Sequence, residues 1–275
     1  MNILAIDTSG PVAACAVMAE GRIACSIAMN QGLTHSETIM PAVDMALRTS
    51  GLTCRDIDVF AAVAGPGSFT GVRIGVCAVK GLAHGVGKPC ARVNALEALA
   101  MNFYGFDGLC CPILDARRGQ VYCAAYDMKG GMPVEVAAPD AIPLTDFIAA
   151  LPADRRLVFV GDGVPAYGEQ VKALLGARAL IAPEHLRNLR ADAACVLAAA
   201  RSDQWMEARR LTPIYLRAPQ AERERRAGRD HTRPLRRQRE EEAMKAASAK
   251  RTEPEQFTGL PGETRDAPKA GGGAL

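Results

Sequence analysis

The stretch AGPGSFTGVRIG, Ala64 to Gly75, constrains this chain more than any other. It follows an apolar run, Asp58 to Ala64, and opens a segment, Ser68 to about His84, whose apolar residues recur at helical spacing. A buried strand must therefore turn into a helix within three residues. Gly65 and Gly67 permit this because glycine tolerates positive φ, and Pro66 fixes its own φ. Ser68 is a good N-cap, so the N–H groups of the helix start point at whatever lies over them. A phosphate could lie there, but two fingerprints fail. A P-loop needs a glycine five residues after the first, then Lys and Ser or Thr; here Thr70 follows Gly65 and Val72 follows Gly67. The dinucleotide pattern lacks its third glycine, where Thr70 stands. The pattern favours a plain tight turn, with Gly65 and Gly67 kept as nucleotide candidates.

Further along this helix Gly71, Gly75 and Ala78 fall at i, i+4 and i+7, and Leu82 continues the face. An interior glycine costs a helix about 1 kcal/mol relative to alanine, so two on one stripe imply close packing against another helix. That helix could be the chain's own first helix or one from a partner; the sequence leaves both open.

The surrounding elements come in a repeated order. Asn2 to Asp7, Val12 to Met18 and Arg22 to Met29 read as a three-strand meander. Thr34 and Glu37 have the spacing of a capping box, and Ile39, Val43, Ala46 and Leu47 recur at helical spacing up to Ser50-Gly51, with Pro41 expected to bend the helix. After the glycine stretch and its helix, Cys90 to Val93 reads as a strand, and Asn94 caps Ala95 to Met101. Leu109 to Asp115, Gln120 to Asp127 and Val134 to Ala137 form a second set of strands. Leu144 to Leu151, Arg156 to Gly161, Val164 to Leu175 and Asn188 to Arg201 then read as helix, strand, helix and helix. Two β-β-β-α-β-α halves predict a duplicated α/β fold, each lobe a mixed sheet with flanking helices, with a cleft between. The expected divisions are residues 1–105, 106–218 and a tail, 219–275.

Composition bounds the partners. From Pro219 onward there are thirteen Lys plus Arg against ten Asp plus Glu, which leaves twenty of each before it. The folded part is thus neutral, and no broad nucleic-acid groove is indicated. The tail has Phe257 as its only aromatic and too little apolar area to offset the entropy of ordering it, so it is expected to be disordered, with a transient helix at 222–250 interrupted by Pro234. Residues 223–239 hold eight arginines against two acids and could touch RNA phosphates, though a solvated extension is the plainer reading. Nine scattered cysteines, mostly inside apolar runs, point to buried thiols in a reducing, cytoplasmic setting. The start lacks a basic leader and no eighteen apolar residues run together, so neither export nor a membrane span is expected.

Few residues carry obvious chemistry. Asp7, Thr8 and Ser9 end the first strand, where they could order a metal-bound phosphate or where Asp7 could simply cap the turn. Gln31 and Ile39 stand four residues either side of His35, the other histidines are isolated, and no cysteine pair has zinc spacing; no metal centre is expected. No Gly-x-Ser-x-Gly elbow is present. Asp115-Ala116-Arg117-Arg118-Gly119 joins two strands, and its arginines could face the cleft or merely form a turn.

Several stretches together resemble the TsaB (YeaZ) family. They are Ile6-Asp7-Thr8-Ser9, Leu33-Thr34-His35-Ser36-Glu37 with Pro41, Gly65 to Gly75, Asp115 to Tyr122, and Pro213-Ile214-Tyr215-Leu216-Arg217, in order over residues 1 to about 222. The resemblance implies a fold of the actin, hexokinase and Hsp70 (ribonuclease H-like) type. It also implies a non-catalytic paralogue of TsaD, the subunit that transfers threonylcarbamoyl to adenosine 37 of tRNAs reading codons that begin with A. The His-x-x-x-His metal pair of TsaD-like chains is missing, because the slot reads His35 to Ile39. On this reading the chain has no catalytic residue and binds no cofactor of its own; ATP and a metal ion belong to the partner subunits. It pairs with a TsaD-like subunit through its first two helices, at His35, Ile39 and Val43 on one and Gly71, Gly75, Ala78 and Leu82 on the other. A TsaE-like ATPase joins the pair, tRNA is met through the complex, and two copies could pair through the same helices. Two alternatives are an ATP-dependent small-molecule kinase of the same fold and a glycoprotease-like metallopeptidase.

Overall fold

The structure is a computed structural model that describes residues 1–32 and 34–217. The tail and its expected disorder, helix and RNA contact lie outside the described residues. The chain opens with β1 (Ile3–Asp7), β2 (Ala13–Ala19) and β3 (Arg22–Met29), an antiparallel meander. There follow α1 (His35–Thr49), β4 (Val59–Val63), α2 (Phe69–Val86), β5 (Cys90–Val93) and α3 (Ala95–Ala100). β4 lies parallel to β1 and β5 parallel to β4. The second half holds β6 (Leu109–Asp115), β7 (Gln120–Asp127), β8 (Val134–Pro143), α4 (Leu144–Ala149), β9 (Leu157–Val160), α5 (Val164–Leu175), β10 (Ala179–Ile181), α6 (Glu184–Arg187) and α7 (Ala191–Ala200).

The sheet orders are β3-β2-β1-β4-β5 and β8-β7-β6-β9-β10, so the halves share one topology: a meander extended by two parallel strands. This is the duplicated actin-like fold. β1 and β4 are buried along their whole length, as strands covered on both faces should be, and read as apolar runs, with Asp7 at the end of β1 as the exception.

Three apolar cores separate the layers. One lies between the first sheet and α1 with α2, using Leu4, Ile6, Ile39, Val43, Phe60 and Val76. Another lies between the second sheet and α4 with α5, around Leu109, Ile113, Phe147 and Phe159. The third joins the two halves, and here packing departs from chain order. α7, from the second half, contacts the strands of the first sheet, while α3, from the first half, contacts β6 and β7. The α7 sequence, ADAACVLAAA, is apolar apart from Asp192 because most of its surface is covered. Arg201, just after α7, holds Glu97 of α3 by two hydrogen bonds of 2.7 Å, a bidentate pair across that central layer.

The differences from the expected elements are local. β10 has only three residues, too few for a period to register, yet it completes the second sheet. β8 continues to Pro143 because β7 keeps pairing with it past two irregularities in register. The expected helix from Asn188 to Arg201 begins only at Ala191, as α7, because Asn188 and Arg190 are extended, and the short α6 before them is an element the sequence pattern did not show. Thr34 makes no side-chain cap, and the Glu37 N–H donates to the Thr34 carbonyl instead. α1 runs without a break through Pro41.

Candidate functional site

The glycine junction is closed by the chain itself. Gly65 has φ +110, and a Cβ there would stand 2.7 Å from the Ile214 carbonyl oxygen. A Cβ on Gly67 would strike the Ser9 carbonyl. That carbonyl accepts a hydrogen bond of 2.7 Å from the Ser68 N–H, and Ser68 Oγ accepts from the Gly71 N–H at 3.2 Å. Two of the donors at the start of α2, the Ser68 and Gly71 N–H groups, are therefore engaged with the β1–β2 turn and with the cap.

The same turn corrects the reading of the glycine stripe. A Cβ on Gly71 would strike the Thr8 carbonyl, and one on Gly75 would stand 2.6 Å from Thr8 Oγ1. These glycines clear space for the end of β1, not for a second helix. Thr8 has no exposed surface, and its hydroxyl donates to the Gly71 carbonyl at 2.6 Å. Ile39 and Val43 are likewise core residues under α1, so four of the seven interface residues expected from sequence point inward. His35, Ala78 and Leu82 are half-buried. His35 Nε2 donates to the Gly10 carbonyl at 2.8 Å.

The outward face of α2 is a different stripe: Ile74, Cys77, Ala78, Gly81, Leu82 and Gly85, with Cys77, Gly81 and Gly85 exposed. Nothing lies within 4 Å of a Cβ placed on Gly81 or Gly85. Beside it, α1 exposes Met40 (42%) and Met45 (60%) with Pro41.

Asp7, Thr8 and Ser9 meet at the cleft between the halves and are buried. The cavity there, bordered by Asp7, Ser9, Pro11, Leu114, Asp162 and Arg187, measures about 20 Å³, room for one water and far below the several hundred Å³ of a nucleotide site. Asp7 Oδ1 accepts the Ser9 N–H at 2.8 Å, so Asp7 caps its own turn, while Oδ2 has no hydrogen-bond partner. Burial pushes the Asp7 carboxyl up to about 6; the bonds from Ser9 and the charge of His35 oppose the rise, and Asp162 adds to it. The Asp162 carboxyl is also raised by burial, although it accepts the Asp115 N–H at 3.0 Å. Among the described residues no group of three or more His, Cys, Asp or Glu is placed to hold a metal.

One arrangement had no sequence signal beyond the resemblance. The segment from Pro213 to Arg217 runs as a strap from one half to the other. The Ile214 N–H donates to the Ala64 carbonyl at 2.7 Å, and Arg217 Nη1 donates to the Ala116 carbonyl at 3.0 Å. Between them Tyr215 stacks on Phe69, ring centres 5.2 Å apart, and receives a hydrogen bond of 2.9 Å from Arg73 Nε.

Fold and site together define the class: a two-lobed actin-like chain whose cleft is closed on itself and whose first two helices present an uncovered face of small and apolar residues. Comparison with known proteins narrows this. The family model described as TsaD, tRNA N6-adenosine threonylcarbamoyltransferase, matches residues 29–224. The TsaB of Bacillus subtilis, a tRNA threonylcarbamoyladenosine biosynthesis protein, is 34% identical over 223 residues, 81% of this chain and 96% of that one. YeaZ from Pseudomonas aeruginosa superposes with a TM-score of 0.67 at 28% identity, covering 78% of this chain and 99% of that one. A tRNA N6-adenosine threonylcarbamoyltransferase of Chlorobaculum tepidum is 35% identical over 112 residues, 36% of this chain and 32% of that one. The chain belongs to the TsaB (YeaZ) family.

Proposed function

We propose that this chain acts in forming threonylcarbamoyladenosine at position 37 of tRNAs that read codons beginning with A, as a non-catalytic subunit paired with a TsaD-like chain. The carrying observation is the uncovered face of α2, where Gly81 and Gly85 leave open space between Ile74, Cys77, Ala78 and Leu82. Small residues let a neighbouring helix approach closely, and the exposed methionines of α1 adapt to its surface. Of the earlier interface set, Ala78 and Leu82 remain on this face with His35 at its edge, while Ile39, Val43, Gly71 and Gly75 support it from beneath. A TsaE-like ATPase would join the pair, bringing ATP chemistry, with the metal and the transfer step in the TsaD-like subunit. Two isolated copies would meet through the same helices. The working location is the cytoplasm; among the described residues no helix is long and apolar enough to cross a membrane.

Neither the family membership nor the small cleft favours the kinase or the metallopeptidase. Calorimetry with ATP and magnesium tests the first, and metal analysis the second. The main test is size-exclusion chromatography of both purified chains with a tRNA modification assay. Gly81→Leu should weaken co-elution at least tenfold without lowering the melting temperature, because its side chain stands in open space until a partner arrives. Full activity of the TsaD-like chain alone, with no co-elution, would overturn the proposal.

A further inference from the structure

We infer that Phe69, Arg73, Tyr215 and Arg217, with Arg117 on the adjoining turn, form a surface that binds the phosphates and unstacked bases of an RNA. This rests on the proposed role in tRNA modification and adds to it a direct contact by this chain. The Arg73 guanidinium lies 3.7 Å from the centre of the Phe69 ring and 5.9 Å from that of Tyr215. Its Nε–H is held by the Tyr215 hydroxyl, and no carboxylate among the described residues pairs with it. An arginine fixed in this way carries its remaining N–H groups outward in one orientation, which suits a phosphate better than a mobile lysine would. Tyr215 is 41% exposed and supplies ring surface on which a base can stack.

The strap carries this cluster to more positive charge. Arg217 bonds to Ala116, the first residue after β6, and the next two residues are Arg117 and Arg118. Both stand in the left-handed region, at φ +64 and +58, a conformation that costs non-glycine residues energy and turns both side chains into solvent. Arg117 is 86% exposed and has Asp115 at 3.4 Å as an ion-pair partner. Four arginines are thus gathered on a body whose charges balance overall. The chain then continues from Arg217 into residues 223–239, with eight arginines against two acids. Arginine with exposed aromatic surface fits a nucleic acid, whose phosphates take the charge and whose bases take the rings. An acidic protein would use only the first. The cluster sits at the N-terminal end of α2, ahead of Cys77, Gly81 and Gly85, so RNA and a partner helix can be held together.

The test uses the full-length chain in complex with a TsaD-like subunit, and fluorescence anisotropy with an unmodified tRNA transcript over a range of KCl concentrations. The variant Arg73→Gln with Arg117→Glu should bind at least tenfold more weakly. It should also lower the slope of log K against log salt by about 1 to 2, since each phosphate contact contributes slightly less than one to that slope. Arg117→Glu alone, at an exposed position that the core does not need, should weaken binding about threefold and lower the slope by about 1. Lys172→Glu, the same charge change on α5, should do neither. Unchanged affinity and slope in the Arg73 and Arg117 variants, with co-elution intact, would overturn the RNA surface and leave the proposed function standing. Loss of co-elution with unchanged RNA binding would also overturn it and assign the cluster to a protein partner. Failure of the unmutated chain to pair or to support modification would instead sink the proposed function.

Discussion

Gly75→Ala and Gly81→Ala make the same chemical change on one helix, and the structure gives them opposite signs. Each adds a methyl group and gains about 1 kcal/mol of helix propensity. At Gly81 nothing lies within 4 Å of the new Cβ, so the gain stands. At Gly75 the Cβ falls 2.6 Å from Thr8 Oγ1 and 3.7 Å from Ile6 Cγ2. Thr8 is fully buried and its hydroxyl is held by the Gly71 carbonyl, so moving it breaks a buried hydrogen bond, costing about 1–3 kcal/mol. Overpacking adds about 1–3 kcal/mol. Subtracting the propensity gain leaves a net loss of about 1–5 kcal/mol for Gly75→Ala, centred on about 3 kcal/mol. At about 2–4 °C per kcal/mol for a domain of this size, its melting temperature should fall by about 6–12 °C at that central value, while that of Gly81→Ala rises by about 2–4 °C. Differential scanning calorimetry, checked by urea unfolding, reads both. Gly75→Ala as stable as the unmutated chain would refute the packing of α2 on the end of β1, and with it the division of the helix into an inner and an outer glycine face.

Three further outcomes follow from the same geometry. Asp7 titrates near 6 in the fold and near 4 when unfolded, so its contribution is fully present below about pH 4 and is lost as pH rises through 6. Asp7→Asn, which keeps an acceptor for the Ser9 N–H, should gain up to about 3 kcal/mol over the unmutated chain at pH 7.5 and nothing from this source at pH 4; a pH-independent difference in urea unfolding would contradict the burial. Arg201→Gln should cost about 1–2 kcal/mol by leaving the half-buried Glu97 carboxylate without its bidentate partner, measured by the same unfolding curves. With Ellman's reagent, Cys77 should be the fastest thiol, because it is exposed while Cys25 and Cys54 are half-buried and the other six are buried, with burial raising Cys195 to about 12. Cys77→Ser should remove the fast phase, and addition of a TsaD-like subunit should slow it; an undiminished fast phase in the pair would place Cys77 outside the interface.

The duplicated order of strands and helices was legible because it rests on local signals: apolar runs for β1 and β4, helical periodicity in α1 and α2, glycine at the β4–α2 turn. The interface was read less well. Periodicity groups Gly71, Gly75 and Ala78 on one face, but it cannot say what faces them. The resemblance alone put Ile39 and Val43 on a partner surface, although an apolar stripe at helical spacing serves the chain's own core first. No local pattern could have shown the strap either, since Tyr215 finds Arg73 across 142 positions and Arg217 finds Ala116 across 101.

By itself the sequence determined that a strand must pass into a helix at Gly65 to Ser68, that two similar α/β halves follow one another, and that no histidine pair stands at the slot from His35 to Ile39. Each follows from the conformational limits or chemistry of residues close together in the chain. Only the tertiary structure decided what the turn encloses. The Ser9 carbonyl takes the Ser68 N–H, Thr8 fills the notch cut by Gly71 and Gly75, and Gly81 and Gly85 are left uncovered. Those contacts join segments about 60 to 150 positions apart, and close packing, not local propensity, selects them.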